Sequence, residues 1–275
     1  HAPPRPEMTR VLLQSGCVAI AYEEMLDTQG RRFALAPMSR LAGVGAVVVA
    51  GQFCQALYQG CGKLLFRTAG AEPLSMTILG GGVAGWAATE AALAAGAGVR
   101  IVENNPETAQ NLAHAFPAAM VRTYSDALLR EALPTTDVLV NCVMWMPGDP
   151  HLVTHEMVRS MRKGSLIVDV AADPNGAVET TQVTTHDDPI RIVDGVLHYA
   201  VQNIPSLFAN TASQLLAEVT WPGLACIAQD GLEAALRQNN SLLSGVQFWQ
   251  GQAVGRLLAE TQGLATMSCD EILAD

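Results

Sequence analysis

From about Thr77 the chain alternates short, almost wholly apolar runs with longer stretches whose apolar residues recur at helical spacing. That alternation is how parallel βαβ units look in sequence, because strands covered by helices on both faces need no polar face. The runs predict strands over Met76–Leu79, Gly98–Val102, Ala119–Arg122, Val138–Val143 and Ser165–Val170. Between them the periodicity predicts helices over Ala84–Ala95, Pro106–Ala115, Ser125–Ala132 and Thr154–Met161. Arg191–Tyr199 alternates around Asp194-Gly195 and predicts a hairpin. The expected fold is α/β, a doubly wound parallel sheet with right-handed crossovers.

The flanks read differently. A helix is expected over Glu7–Ser15, a strand over Cys17–Tyr22 and a turn over Asp27–Gly30. After about Asn210 the pattern predicts helix to the end, interrupted at Pro222-Gly223, with helical stretches over Leu232–Arg237 and Val254–Thr261. A central domain of residues 36–209 is therefore expected to be inserted between two pieces, 1–35 and 210–275, of a second, discontinuous domain. Leu41–Gly62 carries no charge and is long enough to cross a bilayer. Its glycines, with Gln52, Gln55 and Gln59, favour instead a helix packed through small residues.

Composition narrows the partners. The 275 residues suffice for one large or two ordinary domains, and 26 Asp plus Glu against 16 Lys plus Arg give a net charge of −10. Duplex nucleic acid and anionic membranes need a concentrated basic face, so neither is expected as a partner. The six cysteines contain no C-x-x-C pair and no secretory signal is visible, so free thiols and a cytoplasmic location are expected.

The predicted strand ending at Leu79 runs into Gly80-Gly81-Gly82-Val83-Ala84-Gly85, a G-x-G-x-x-G match, and then into an Ala-rich helix. Gly80 permits the tight turn, Gly82 leaves room for a pyrophosphate and Gly85 lets helix and strand pack closely. The phosphates then meet free N–H groups at the helix N-terminus, with Val83 and Ala84 in its first turn. Glu103, at the end of the next predicted strand, stands where a carboxylate accepts hydrogen bonds from ribose hydroxyls and repels a 2′-phosphate. The expected cofactor is NAD. S-adenosylmethionine enzymes share the loop and strand-end acid but do not need the third glycine.

With the loop in place, GCVAIAYEEM (Gly16–Met25), LAPMSRLAG (Leu35–Gly43), ILGGGVAG (Ile78–Gly85), LVTHEMVRSMRKGSLIVDVAAD (Leu152–Asp173), TTHDDP (Thr184–Pro189) and VDGVLHYAVQNIP (Val193–Pro205) are together informative. The chain resembles, over nearly its whole length, the alanine dehydrogenase family and the related NAD-binding subunit of nicotinamide nucleotide transhydrogenases. The resemblance implies a Rossmann-type domain inserted in a substrate and catalytic α/β domain, a small amino acid or 2-oxo acid as substrate, and a homo-oligomer, typically a hexamer. It places His1 on the family's catalytic histidine and Asp173 on the catalytic aspartate closing V-D-x-A-x-D. It also places Ser39, Ser125, Val143, Met144, Val170, Ala171, Ala172, Asp173, Val201, Asn203 and Ile204 along the dinucleotide. A histidine of ordinary pKa cycles between proton states near neutrality, and an aspartate beside it can hold the ring or orient water.

In the family, the lysine and arginine that engage the substrate carboxylate precede the catalytic histidine. The second domain is thus expected to lack its N-terminal part here, and these residues alone are expected to bind NAD but turn over amino acid poorly. Pro174-Asn175-Gly176 stands where the family has Gln-Gly-Gly, and Ala200–Ile204 replaces Cys-Val-Ala-Asn-Met, so L-alanine itself is less firmly implied than NAD. A transhydrogenase-type subunit and a catalytically incomplete NAD-binding module are the competing readings. His151 and His155 could share a helix face as zinc ligands, but a loop-to-helix junction is the simpler expectation, and no metal is expected. His186-Asp187-Asp188 reads as turn chemistry and His198 as a strand residue.

Overall fold

The computed structural model describes residues 5–146, 148–173, 175–255, 258 and 261–274. They fall into two compact units, one of residues 39–209 and one of residues 1–38 with 210–275. In chain order the elements are α1 (Pro6–Ser15), β1 (Ala19–Ile20), α2 (Ala36–Phe53), β2 (Ser75–Leu79), α3 (Val83–Ala95), β3 (Gly98–Glu103), α4 (Pro106–Ala115) and β4 (Met120–Thr123). Then follow α5 (Asp126–Ala132), β5 (Val138–Asn141), α6 (His155–Ser160), β6 (Leu166–Asp169), β7 (Ile190–Val193) and β8 (Val196–Tyr199). The last stretch holds α7 (Ala209–Asp230), α8 (Leu232–Gln238), α9 (Asn240–Ser244), β9 (Val246–Trp249), β10 (Gln252–Val254), β11 (Thr266–Met267) and α10 (Cys269–Ala274).

The unit of residues 39–209 is built on a seven-stranded sheet of order β4-β3-β2-β5-β6-β8-β7. All neighbours are parallel except the β7–β8 hairpin, which turns on Asp194 (φ 51°) and Gly195 (φ 84°). Strand order reverses between β2 and β5, the crevice where doubly wound sheets place ligands. Alternate strand residues serve opposite faces. Met76, Ile78, Val140 and Val168 join Ala46, Ala50 and Ala88 in one core, and Leu79, Leu139 and Ile167 join Leu129, Leu133 and Met157 in the other. Two covered faces explain why these strands read as apolar runs. Asn105, Ser125 and Thr154 each cap a helix by accepting from a backbone N–H two or three residues inside it.

The uncharged stretch from Leu41 is the packed helix α2. A Cβ on Gly45 would lie 2.7 Å from Ile204 Cγ2, and one on Gly51 3.0 Å from Leu65 Cδ2. Among the described residues no helix is long and apolar enough to cross a membrane.

The unit of residues 1–38 and 210–275 departs from expectation. Instead of a wholly helical tail, it carries a four-stranded sheet β1-β9-β10-β11. Val246–Trp249 is buried at every position, so no alternation marks it as a strand, and the hairpin turns on Gln250 (φ 47°) and Gly251 (φ 86°). Val254 ends β10 rather than opening a helix, and part of the stretch expected as helix to Thr261 lies outside the described residues. Pro222 does not interrupt α7, because Pro222 and Glu218 both lie at the surface, where water can take the carbonyl that the ring leaves unbonded. The predicted strand Cys17–Tyr22 shrinks to Ala19–Ile20, since Tyr22–Glu24 winds into a 3₁₀ turn.

His198, fully buried on β8, sits 3.0 Å from Val196 O through Nδ1 and 2.8 Å from Thr180 Oγ1 through Nε2. A carbonyl only accepts, which assigns the proton to Nδ1 and leaves Nε2 to accept from the threonine. Burial foremost, then the charges of Arg191 and His155, pull its pKa down to about 4 against the hydrogen bond to Val196. A depressed pKa contributes stability that is present above the unfolded value and lost as pH falls toward the folded one. Between pH 7 and pH 5 this residue is expected to cost about 2 kcal/mol. His198→Asn should flatten the fall in unfolding free energy read from urea titrations by that amount, and identical pH profiles for the two proteins would contradict it.

Candidate functional site

Six parallel strands end on one edge of the sheet in the unit of residues 39–209, and the segments that leave them carry most of the residues singled out in the sequence. The glycine loop follows β2. Gly80 has φ 89° and donates its N–H to Val102 O at 2.9 Å. Gly85 is required by packing, since a Cβ there would lie 1.9 Å from Gly80 O. A third close approach, from Gly43, was not read in the sequence. A Cβ on Gly43 would lie 2.0 Å from Ala84 O, so α2 crosses directly on the first turn of α3.

Gly82 is different. Its φ of −64° suits any residue, and a Cβ there would meet nothing within 4 Å. What the glycine preserves is open space before the N-terminus of α3, where Gly82 supplies no side-chain cap. Bare N–H groups facing open space form a place for an anion.

Glu103 ends β3 and turns toward the loop rather than to solvent. Its Oε2 accepts from Gly81 N–H at 2.6 Å and its Oε1 from Asn105 N–H at 2.7 Å. Two backbone donors fix the carboxylate beside the glycine turn and leave its remaining lone pairs for hydroxyl donors. Ser125 is exposed and its Oγ accepts from Leu128 N–H at 3.2 Å, which leaves its hydroxyl proton free to donate. Ser39 lies half-buried on α2, one turn before Gly43. Beyond β5, Val143 approaches the loop, its Cγ2 3.0 Å from a Cβ built on Gly80, while Met144 is exposed.

Beyond β6 the chain passes through Val170 and Ala171 to Ala172, which has φ 48° without being glycine, and then to half-buried Asp173. The fold holds that unfavourable turn through Asp169. Oδ1 of this buried carboxyl accepts from Ala172 N–H at 3.1 Å and from Asn141 Nδ2 at 2.8 Å. Asn141 and Asp169 are register partners on adjacent strands. Asp169 Oδ2 and Thr181 Oγ1 face one another without closing a well-formed hydrogen bond. Burial pushes the Asp169 pKa up against the opposing pull of these donors. The Asp173 pKa is also raised, by burial first and by Asp169 second. A carboxyl whose pKa is raised above the ordinary carboxylate range is better suited to acid–base work than a free one. Sequence reasoning passed over Asp169, Asn141 and Thr181, although a carboxyl closing the run LIV was a signal that a charge-bearing residue had entered a core strand.

Beyond β8, Val201 and Ile204 are buried, Asn203 has φ 63°, and Gln202 Nε2 reaches Ala172 O at 3.5 Å. His1 lies outside the described residues. His151 Nδ1 lies 2.7 Å from Gly176 O and His155 Nε2 2.6 Å from Asp194, so each histidine is committed to its own partner at a loop-to-helix junction.

Residues 46–256 match the family model described as "Alanine dehydrogenase/PNT, C-terminal domain". Alanine dehydrogenase of Halomonas elongata is 35% identical over 96% of this chain and 72% of its own length. A solved L-alanine dehydrogenase superposes with a TM-score of 0.89 at 34% identity, covering 95% of this chain and 73% of that one. The chain belongs to the alanine dehydrogenase/PNT family. A transhydrogenase from Sinorhizobium meliloti, at 23% identity and a TM-score of 0.76 over 91% of this chain and 72% of that one, shares the fold.

The dinucleotide of this alanine dehydrogenase-type chain is NAD, and the residues at the edge fit it. The open approach to α3 at Gly82 has room and N–H donors that suit a pyrophosphate, and the Glu103 carboxylate, fixed by two N–H groups, keeps lone pairs that suit hydroxyl donors. Gly82→Ala is expected to leave the melting temperature unchanged but weaken NADH binding about tenfold or more, roughly 1.4 kcal/mol. Gly85→Ala, which drives a methyl into Gly80 O, is expected to destabilise the fold itself. Thermal melts with NADH titration by fluorescence separate the two, and undiminished binding by Gly82→Ala would contradict the site.

Proposed function

We propose that this chain carries out the NAD-dependent interconversion of L-alanine, or a similar small L-amino acid, with its 2-oxo acid and ammonia. The observation that carries the reading is Asp173, placed just past β6 on the edge that holds the glycine loop, with its pKa raised by burial. Bound NAD supplies the acceptor for the hydride that leaves the amino acid's α-carbon. Asp173 acts as the acid–base partner, orienting water toward the α-carbon, with a carboxyl that burial makes easier to protonate than a free one. His1 is assigned the second acid–base role by family resemblance. Ser39, Gly80, Gly82–Gly85, Glu103, Ser125, Val143, Met144, Val170–Asp173, Val201, Asn203 and Ile204 form the dinucleotide wall.

Assembly with further copies of the chain belongs to the same reading. Helix α7 buries only Gly223 among its residues, leaving Trp221 and Leu224 at the surface, and Val44 and Val48 form a second apolar exposure on α2. Apolar helix faces of this kind are covered in homo-oligomers, and a hexamer is the state the resemblance implies. The cytoplasm is the compartment in which NAD and six free cysteines fit together.

Ammonia-dependent NADH oxidation with a panel of 2-oxo acids, assayed in the protein as its cell makes it, tests the reaction. Asp173→Asn is expected to lower kcat by roughly 100-fold or more while NADH affinity stays within about fivefold. Turnover unchanged by that substitution would sink the assignment.

A further inference from the structure

At the opposite end of the sheet from the glycine loop, the chain leaving α2 folds back on the helix terminus. Gly62 N–H donates to Cys54 O at 2.7 Å and Gly60 N–H to Gln55 O at 3.1 Å. A Cβ on Gly60 would lie 2.1 Å from Phe53 O and 2.7 Å from Cys54 Cα, so this loop closes with no side chain between its strands. The ring of Tyr58 packs edge-on against Phe53, with centroids 5.0 Å apart. The closure brings Cys61 against Cys54. The Cys61 thiol reaches the Cys54 carbonyl, Sγ to O 4.0 Å, which places the two cysteines side by side.

The two thiols are not equivalent. Cys54 is fully buried, whereas Cys61 is partly exposed. The neighbouring Cys54 thiol foremost, then the Lys63 backbone and the Lys63 ammonium, lower the Cys61 pKa to about 7 against the opposing effects of burial and Asp137. Lys63 Nζ is held at 2.8 Å from buried Asp137 and 3.9 Å from Glu72, and Arg162 approaches Asp137 from the other side at 3.9 Å. A fully buried thiol folded by a tight loop against a partly exposed one is the arrangement of a resolving and an attacking cysteine.

We propose that Cys54 and Cys61 form a peroxide-oxidisable dithiol that closes to an intramolecular disulfide. The Cys61 thiolate attacks one oxygen of hydrogen peroxide, and the O–O bond breaks. Hydroxide departs and takes up a proton as water, leaving Cys61 as a sulfenic acid. The Cys54 sulfur then attacks the Cys61 sulfur, the S–O bond breaks, and the Cys54 proton leaves with the hydroxyl as a second water. Both sulfurs are oxidised and one peroxide is reduced. Dinucleotide binding is not needed for either step.

Trypsin releases Leu41–Lys63 as one peptide containing both cysteines. After one equivalent of peroxide, mass spectrometry of the folded protein should find this peptide two hydrogens lighter and restored by dithiothreitol. Exposed Cys17 should remain free under the same treatment. Cys54→Ser keeps the size of the side chain but removes the second thiol, and should trap Cys61 as a dimedone-reactive sulfenic acid. Cys61→Ser should leave Cys54 reduced. An unchanged peptide, a Cys61 bridge to any other cysteine, or no dimedone adduct at Cys61 in folded Cys54→Ser would overturn the proposal.

Discussion

Two close backbone approaches set the rest of the nucleotide-binding edge. Gly85 brings α3 onto the carbonyl of Gly80, and Gly43 brings α2 onto the carbonyl of Ala84, each at a distance that no Cβ could share. Packed so closely from the side and from behind, the first turn of α3 cannot move toward the sheet or away from it. Its amino end faces space that Gly82 keeps open. The macrodipole and the uncapped N–H groups then act on whatever enters that space, and the pyrophosphate of a dinucleotide matches both the charge and the room.

Polar residues at the strand ends complete the edge at some cost. Asp169 brings a carboxyl into a nearly dry position, which burial alone makes unfavourable, and recovers part of that cost from Asn141 Nδ2 and Ala172 N–H. In return the left-handed turn at Ala172 is fixed and Asp173 is presented from a rigid support. Glu103 does the corresponding work for the glycine loop, with one oxygen on Gly81 and the other on Asn105. Glu103 is thus backed by backbone hydrogen bonds directly, and Asp173 through the turn that Asp169 fixes beside it.

The parallel sheet was legible because strands covered on both faces leave an apolar run, as in residues 138–140 and 166–168. Cofactor class was legible for a related reason, since the glycine spacing records backbone approaches that other residues would block. Polar residues inside strands were harder to read. Asp169 and Asn141 matter through their register with one another, and register across parallel strands is not visible along the chain. The C-terminal hairpin was missed because Val246–Trp249 is buried on both faces, leaving nothing periodic to distinguish a strand from a short helix. Pro222 misled in the opposite direction, since a helix at the surface can hydrate the carbonyl that an interior helix could not.

A fixed Glu103 beside an open helix terminus is what selects the dinucleotide. Isothermal titration of the protein with NADH and with NADPH tests that arrangement directly, because the 2′-phosphate would meet the Glu103 carboxylate with no cation supplied by Asn104 or Asn105. NADH is expected to bind at least about tenfold more tightly than NADPH. Equal affinities, or a preference for NADPH, would contradict the account.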